Sequence, residues 1–291
     1  MRVIGIDLAW GEGSTQKLPN ESGLVAVDQS GVIVDAAWAI GLNQTVEWIE
    51  RIAPADSLLM IDAPLVVSNE CGQRLCERQV GQRYGRWKVS ANSTNRNSQR
   101  LAGVLLARIL KDGGWRYHDG CDGVRPTVGK HFAEVYPYTT LVGAPELGYG
   151  ERPVYKRKPK SLPASEFRAR RAENCDDRVD RLAALCNADP PIDLTTHPTT
   201  RTLVDEDSPL DDRRYKHRED LIDVLLCAWT GLLWVRHGLQ RCQVLGTGDP
   251  LTPVATIIAP ARCEQRAYES ATPSTLGRNL SGRTSGAATS C

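Results

Sequence analysis

The sequence lacks the features that mark several large classes of protein. Only 6% of its residues are aromatic, and its 36 basic residues nearly cancel its 35 acidic ones. The net charge of +1 gives no sign of a nucleic-acid partner, which only a local concentration of charge would then indicate. No apolar run approaches the roughly 20 residues that span a bilayer, and no basic segment leads into an apolar core as in a secretory signal. We therefore expect a cytoplasmic protein with no membrane partner.

What the sequence does contain is typical of a globular chain. Hydrophobic residues make up 41% and charged residues 24% of the 291 positions, which excludes a wholly disordered or fibrous protein. We predict one domain over residues 1–263, with insertions around 66–97 and 143–215. Residues 264–291 are rich in Ser, Thr, Gly and Ala, and we expect a disordered tail because few apolar side chains are available to form a core. The sequence leaves the oligomeric state open.

The nine cysteines are scattered and odd in number, which favours free thiols over a disulfide framework. One group has the residue types of a zinc site, namely Cys71, Cys76, His118 and Cys121. The spacing of its first two cysteines is looser than in common zinc knuckles, and a long segment separates the two pairs. Free cysteines are therefore the favoured interpretation, and zinc binding stays open.

The order of predicted strands and helices indicates the fold class. Three short apolar runs form a meander, and a helical pattern over residues 45–52 then leads to a fourth apolar run that ends at Asp62. Such a crossover helix makes the fourth strand parallel to the first. We predict an α/β fold with a mixed five-stranded sheet, a three-strand antiparallel meander plus parallel strands, flanked by helices. The predicted strands are 3–9, 23–27, 31–38, 58–61 and 131–136, with a further candidate at 254–259, and the other predicted helices are 101–110, 165–186 and 217–237.

Four aspartates occur where a carboxylate is costly. Asp7 lies in a buried strand and Asp62 ends another, while Asp220 and Asp223 share one face at the start of an apolar helix. If the two strands are parallel neighbours, Asp7 and Asp62 meet at their carboxyl ends, where open α/β sheets place their sites. Converging carboxylates repel one another unless a hard cation lies between them, and Mg²⁺ and Mn²⁺ prefer oxygen ligands. The four aspartates therefore predict a site for Mg²⁺ or Mn²⁺, although Asp220 alone also suits the helix dipole.

Two stretches of the chain concentrate positive charge. Residues 151–171 contain eight basic and two acidic residues, and residues 74–88 also hold several basic side chains. The local excess predicts contacts to the phosphate backbone of a nucleic acid, DNA or RNA, through Arg74, Arg78, Lys156 and Lys158. A solvated face or a mobile loop explains such charge runs equally well.

Four segments resemble one family of uncharacterised prokaryotic proteins. They are Ile4–Trp10, Met60–Leu65, Glu134–Pro137 and Lys216–Asp223, and Gly72–Arg78 also resembles the family's pattern. The family is known as domain of unknown function 429 and is regarded as a set of RNase H-like nucleases. The likeness runs from residue 1 to about 260 and implies an RNase H-like fold.

The layout is more distantly similar to that of RuvC-type resolvases. Those enzymes carry acids on strands one and four and an Asp-x-x-Asp pair on the last helix, which correspond here to Asp7, Asp62, Asp220 and Asp223. The resemblance implies that these residues are catalytic as well as metal-binding. Glu134 matches the Glu-x-x-Pro motif of the family, and it either adds a metal ligand or binds a basic side chain.

The leading hypothesis is a metal-dependent nuclease that hydrolyses phosphodiester bonds by a two-metal-ion mechanism. An actin-like ATPase or small-molecule kinase is the alternative, because such folds also begin with a strand, an acid and a hairpin. The phosphate turns would then be formed by Gly11, Gly13 and Ser14 and by Gly246 and Gly248. Two domains of that kind fit poorly into about 260 residues. A catalytically inactive nucleic-acid-binding module on the same fold is the third hypothesis.

Overall fold

The computed structural model describes residues 1–9, 11, 20–153 and 163–266, and its central feature is a mixed β-sheet. The strands are β1 (Arg2–Asp7), β2 (Glu21–Val27), β3 (Ile33–Ile40), β4 (Ser57–Asp62), β5 (Arg116–Tyr117), β6 (Lys130–Glu134), β7 (Cys242–Leu245) and β8 (Ile257–Pro260). Six of them form one sheet in the order β3-β2-β1-β4-β6-β5, and β7 and β8 form a second, antiparallel sheet. The large sheet holds Asp7 and Asp62 at the ends of β1 and β4.

The pairing of the large sheet matches most of the predicted topology. Strands β1, β2 and β3 form an antiparallel meander, and β4 pairs parallel with both β1 and β6. The α/β class and the parallel pairing of the first and fourth strands are therefore confirmed. The count of five strands is wrong by one, because β5 adds an edge strand of two residues, too short to leave a pattern in the sequence. The strand considered at 254–259 corresponds to β8 and lies in the second sheet.

Within the described residues the chain forms eight α-helices, which cover both faces of the large sheet. They are α1 (Gly41–Ile52), α2 (Leu75–Tyr84), α3 (Ala102–Asp112), α4 (Pro137–Gly143), α5 (Ala164–Ala183), α6 (Pro198–Asp205), α7 (Asp212–His237) and α8 (Cys263–Arg266). One core contains Ile4 and Ile6 of β1 with Trp48 of α1, and the other contains Val3 with the apolar residues of α7. Because both faces of β1 are covered, its inner positions 3–6 are buried and carry no polar side chain.

The described chain extends slightly beyond the predicted end of the domain. Helix α8 includes residues 264–266, and Gln265 is buried, so the ordered chain extends three residues into the segment expected to be a tail. Residues 267–291 lie outside the described residues.

Helix α2 lies in a polar stretch for which the sequence predicted no structure. The helix buries only a narrow side, which includes Cys76 and Val80, so its apolar pattern is weak.

Helix α7 lies so close to the sheet that the strands beneath it require glycine. A Cβ atom added at Gly5 would lie 2.3 Å from a carbonyl oxygen of the helix, and one at Gly23 would lie 3.1 Å from the Asp220 carbonyl oxygen. Further along the helix, a Cβ atom at Gly231 would lie 2.5 Å from the side chain of Val3. Residue numbers thus rise along α7 as they fall along β1. The first half of α7 therefore lies at the carboxyl end of β1.

We expect Gly5→Ala to destabilise the protein by about 3 kcal/mol, because the new methyl group meets backbone atoms of α7 that move only if the whole helix moves. The measurement is chemical denaturation followed by circular dichroism. Gly81→Ala is the matched control, because it lies inside α2 with nothing within 4 Å of the added Cβ atom. It should raise stability by about 0.5–1 kcal/mol through helix propensity. Equal effects of the two substitutions would contradict the close packing of α7 on β1.

Residues 212–240 form the one segment of the described chain that is long and apolar enough to cross a membrane, judged by length and composition alone. The expectation that no apolar run approaches spanning length was therefore too strict. Within the fold, 83% of its most apolar window is buried, as is typical of a helix in the core of a globular protein.

Candidate active site

Asp7 and Asp62 lie side by side at the carboxyl ends of two central strands. They are direct register partners in the parallel pairing of β1 and β4, so their Cα atoms are separated by about the 4.8 Å spacing of adjacent strands. Both side chains are half-buried. The sequence-based expectation that these two acids share one edge of one sheet is thus confirmed.

Helix α7 brings the other two aspartates to the same edge. Gly23 is the register partner of Asp7 on β2, and it lies directly beneath Asp220. Asp220 is 6% exposed and lines an open cleft of about 980 Å³ together with Asp7 and Asp62. Asp223 is 2% exposed and lies one turn further along the helix, where it is buried. The cleft is therefore lined by three of the predicted acids, with the fourth buried next to Asp220.

These carboxylates act through their charges on one another and on a neighbouring thiol. Burial raises the pKa of Asp220, Lys216 opposes that rise, and the nearby charge of Asp223 adds to it. Burial likewise raises the pKa of the Cys227 thiol well above its ordinary value, with further contributions from Asp62, Asp7 and Asp223. One buried thiol thus experiences the charge of three of the four aspartates, and Asp7, Asp62, Asp220 and Asp223 are together called the acidic cluster below.

Lys216 contributes a positive charge inside this acidic cluster. Its Nζ atom donates to Asp220 Oδ1 at 2.5 Å and lies 3.5 Å from Glu219 Oε1. Burial acts to lower the pKa of Lys216, but Glu219, Asp220 and Asp7 outweigh it and raise the pKa above its ordinary value. The sequence signal for this lysine is its position four residues before Asp220 on a helix, which is the spacing of an ion pair.

The aspartates have the donor chemistry of a site for a hard divalent ion. As the side chains are placed, no group of three or more His, Cys, Asp or Glu residues in the described chain lies close enough to hold a metal ion. The donor atoms on the sheet edge and on α7 are nevertheless carboxylate oxygens, which suit Mg²⁺ and Mn²⁺. One of these carboxylates, that of Asp220, already binds a cation, the ammonium of Lys216. Asp7, Asp62, Asp220 and Asp223 are the residues that would hold such an ion.

Glu134 and Arg74, which we considered as a metal ligand and a contact to nucleic acid, bind each other instead. Two guanidinium nitrogens of Arg74 donate to the two carboxylate oxygens of Glu134 at 2.7 and 2.8 Å. The backbone N–H of Leu65 donates to Glu134 at 3.0 Å, and a third nitrogen of Arg74 donates to Glu77 at 2.9 Å. Arg74 and Glu134 are 3% and 4% exposed, so both predicted roles are corrected. Of the two options for Glu134, the structure has the basic partner.

The remaining predicted contacts to nucleic acid are not brought to the acidic cleft. Arg78 is exposed, but it lines a separate pocket with Asn69 and Pro253. Lys156 and Lys158 lie outside the described residues. Arg152, at the start of the same basic stretch, does line the cleft.

The cleft also has aromatic and basic residues that the sequence analysis did not single out. Tyr136 follows β6 and Tyr138 lies in α4, and their rings meet edge to face at 5.5 Å. The guanidinium carbon of Arg152 lies 3.7 Å from the centre of the Tyr138 ring. Arg213 and His217 of α7 complete a ring of cationic or titratable side chains around the acids. In the sequence, the signal for these aromatic residues is the pair Tyr136–Pro137, which follows Glu134 closely.

Comparison with known proteins decides the family. A sequence model of the family described as "Protein of unknown function (DUF429)" matches residues 5–245, a range that includes all four aspartates. The chain belongs to the DUF429 family. No curated protein and no solved structure showed significant similarity to it.

The other candidate sites in this DUF429 protein are not assembled. The Nε2 atom of His118 accepts a hydrogen bond from the indole of Trp234 at 2.9 Å, and burial raises the pKa of Cys76 to about 12. The described chain brings no group of three or more metal-ligating side chains together around either residue, and all eight described cysteines are free.

The glycines considered as phosphate turns are also accounted for in part. The backbone N–H of Gly246 donates to the side chain of Gln79 at 2.6 Å, so the protein itself satisfies this donor. Gly13 and Ser14 lie outside the described residues. Gly11 lines a pocket with Leu8 and Ser22, and a Cβ atom added at Gly248 would meet nothing within 4 Å. The ATPase or kinase alternative therefore stays a hypothesis.

Proposed function

We propose that the protein is a metal-dependent nuclease with an RNase H-like fold, which hydrolyses phosphodiester bonds at the acidic cleft. The observation that carries this proposal is the direct register pairing of Asp7 with Asp62, with Asp220 of α7 lining the same cleft. A six-stranded sheet that begins with an antiparallel meander and continues with parallel strands is compatible with the RNase H-like class. The nucleic acid, DNA or RNA, is the proposed partner.

The cofactor in this proposal is Mg²⁺ or Mn²⁺, held by Asp7, Asp62, Asp220 and Asp223. When bound, ions of this kind activate water and neutralise the charge that develops on the phosphodiester oxygens. The chain's own contribution is to hold the carboxylates on rigid elements, two strand ends and one helix. Backbone pairing of β1 with β4 fixes the first two, and the close contact of α7 with Gly5 and Gly23 fixes the others.

The walls of the cleft supply what a nucleic-acid substrate needs. Arg152 is oriented by its contact with the Tyr138 ring and offers a guanidinium to a phosphate group. Arg213 and His217 offer further positive charge or hydrogen-bond donors from α7. Tyr136 is half-buried and presents an aromatic ring beside the acids, on which an unpaired base can stack. The basic and aromatic walls favour a nucleic acid over an uncharged substrate.

The test is hydrolysis of labelled single-stranded and double-stranded DNA and RNA by the purified protein, with Mg²⁺, with Mn²⁺ and with a chelator. We expect cleavage of at least one substrate with a divalent ion, and its loss with the chelator or in Asp62→Asn. Asp112→Asn is the matched control, because Asp112 is exposed at the end of α3, away from the cleft. Metal-independent cleavage, or full activity of Asp62→Asn, would contradict the proposal.

A further inference from the structure

Lys216 has an unusual environment for a surface lysine. Its side chain is 58% exposed, yet its ammonium group lies 2.5 Å from a carboxylate oxygen of Asp220, a residue that is only 6% exposed. Glu219 is equally buried and lies 3.5 Å away, and the charge of Asp7 also acts on the lysine. The ammonium therefore lies at the edge of the acidic cluster, where its positive charge compensates the buried carboxylates.

Electrostatics explains why the lysine adopts this position. Buried carboxylates at short separation are costly unless a cation compensates them. Among the described residues, the ammonium of Lys216 is a cation in contact with both Asp220 and Glu219. An ammonium is a weaker competitor than a divalent ion, because it carries half the charge and its position depends on a flexible side chain. The stem of the lysine is largely exposed, so it can leave without disturbing the core.

We propose that Lys216 is a built-in counter-ion of the acidic cluster, which a divalent cation must displace before the site is loaded. The inference rests on the proposed function, since it concerns the same metal site. The ammonium takes the contact at Asp220 Oδ1 that a divalent ion would need. Lys216 then sets the metal concentration at which the site fills.

The experiment is calorimetric titration of the whole protein with Mn²⁺, together with the electron paramagnetic resonance signal of free Mn²⁺. Lys216→Met removes the charge and keeps the length of the side chain, and we expect it to bind Mn²⁺ roughly tenfold more tightly than the wild type. Lys216→Gln is a second variant with the same expectation, and circular dichroism checks that both are folded. Arg213→Met is the matched control, because Arg213 lines the same cleft on the same helix. It should change the Mn²⁺ affinity much less, which separates a specific displacement from a general change of charge.

The outcomes separate this inference from the proposed function. Tighter binding by both Lys216 variants, with little change in Arg213→Met, supports the displacement. Unchanged or weaker binding by the Lys216 variants, while the wild type binds Mn²⁺, overturns the counter-ion role and leaves the proposed nuclease intact. If neither the wild type nor the variants bind Mn²⁺ at millimolar concentration, both the inference and the metal-dependent function are wrong. An equal gain in Arg213→Met would show a general field effect and also overturn the specific role.

Discussion

Replacement of Asp7 by Asn is expected to reduce metal-dependent hydrolysis by roughly a thousandfold, the size of loss that follows removal of a group that stabilises charge in a transition state. The same variant should lose most of the stabilisation that Mg²⁺ gives to the wild type. The physical reason is the position of Asp7, which pairs in register with Asp62 and lies one strand away from the glycine beneath Asp220. An amide has nearly the shape of a carboxylate but lacks the charge that a hard cation requires.

The measurement is a set of thermal melts of the wild type and Asp7→Asn, each with and without Mg²⁺. At a concentration one hundred times the dissociation constant, a bound ligand stabilises the folded state by about 2.7 kcal/mol, which raises the Tm of a chain of this size by roughly 5 °C. We expect that shift in the wild type and in the control Asp112→Asn, and a much smaller shift in Asp7→Asn. Without metal, Asp7→Asn should be as stable as the wild type or more so, because one charge has left the acidic cluster.

If Asp7 has only a structural role, the thermal melts should give the opposite result. Removal of one partner from a buried ion pair costs roughly 3–5 kcal/mol, and that loss would be the same with and without Mg²⁺. Equal metal-induced shifts in both proteins would show that Asp7 is not a ligand. The melts therefore discriminate between the two roles without any knowledge of the substrate.

The placement of Asp7 and Asp62 was predictable because it depends on connectivity alone. A strand, a helix and a second strand in one sheet give a parallel pair, and the carboxyl ends of a parallel pair share one edge. The position of Asp220 was predictable in part, since a long apolar helix has to cover the sheet. The close approach of Asp220 to β2 was not predictable. It depends on the absence of a side chain at Gly23, and that absence is informative only when the position of α7 above the strand is known.

The partner of each charged side chain was much harder to predict. Arg74 and Glu134 are separated by 60 positions, and nothing local distinguishes a buried guanidinium from the exposed one of Arg78. Basic residues are rarely buried, so Arg74 was assigned to the surface and to a nucleic acid. The Lys216–Asp220 pair was within reach of sequence reasoning, since its spacing on a helix is short. Helical spacing alone, however, does not show that Asp220 is buried.

The Arg74–Glu134 pair also has consequences for the site. Besides its bonds to Glu134 and Glu77, Arg74 donates to the backbone oxygen of Val66 at 3.1 Å, and Glu134 accepts from the N–H of Leu65. These two backbone groups belong to the turn that follows Asp62. The buried network therefore holds the chain that leaves the acidic strand end, and its loss should disturb Asp62 as well as the fold.

We expect Arg74→Met to lower the free energy of unfolding by about 3–5 kcal/mol, because it leaves the carboxylates of Glu77 and Glu134 buried without their cation. Burial already raises the pKa of Glu134, and Arg74 opposes that rise, so the variant should raise it further. A carboxyl group with a higher pKa in the folded than in the unfolded state destabilises the fold as pH rises above its ordinary value of 4.5. The deficit of Arg74→Met, measured by urea denaturation, should therefore be smallest below pH 4.5 and largest at neutral pH. Arg78→Met, in the first turn of the helix that follows Arg74, is the control and should change stability by less than about 0.5 kcal/mol at either pH. A deficit that is independent of pH would mean that Arg74 stabilises the fold by packing alone, and that the turn after Asp62 is held without the charge of the pair.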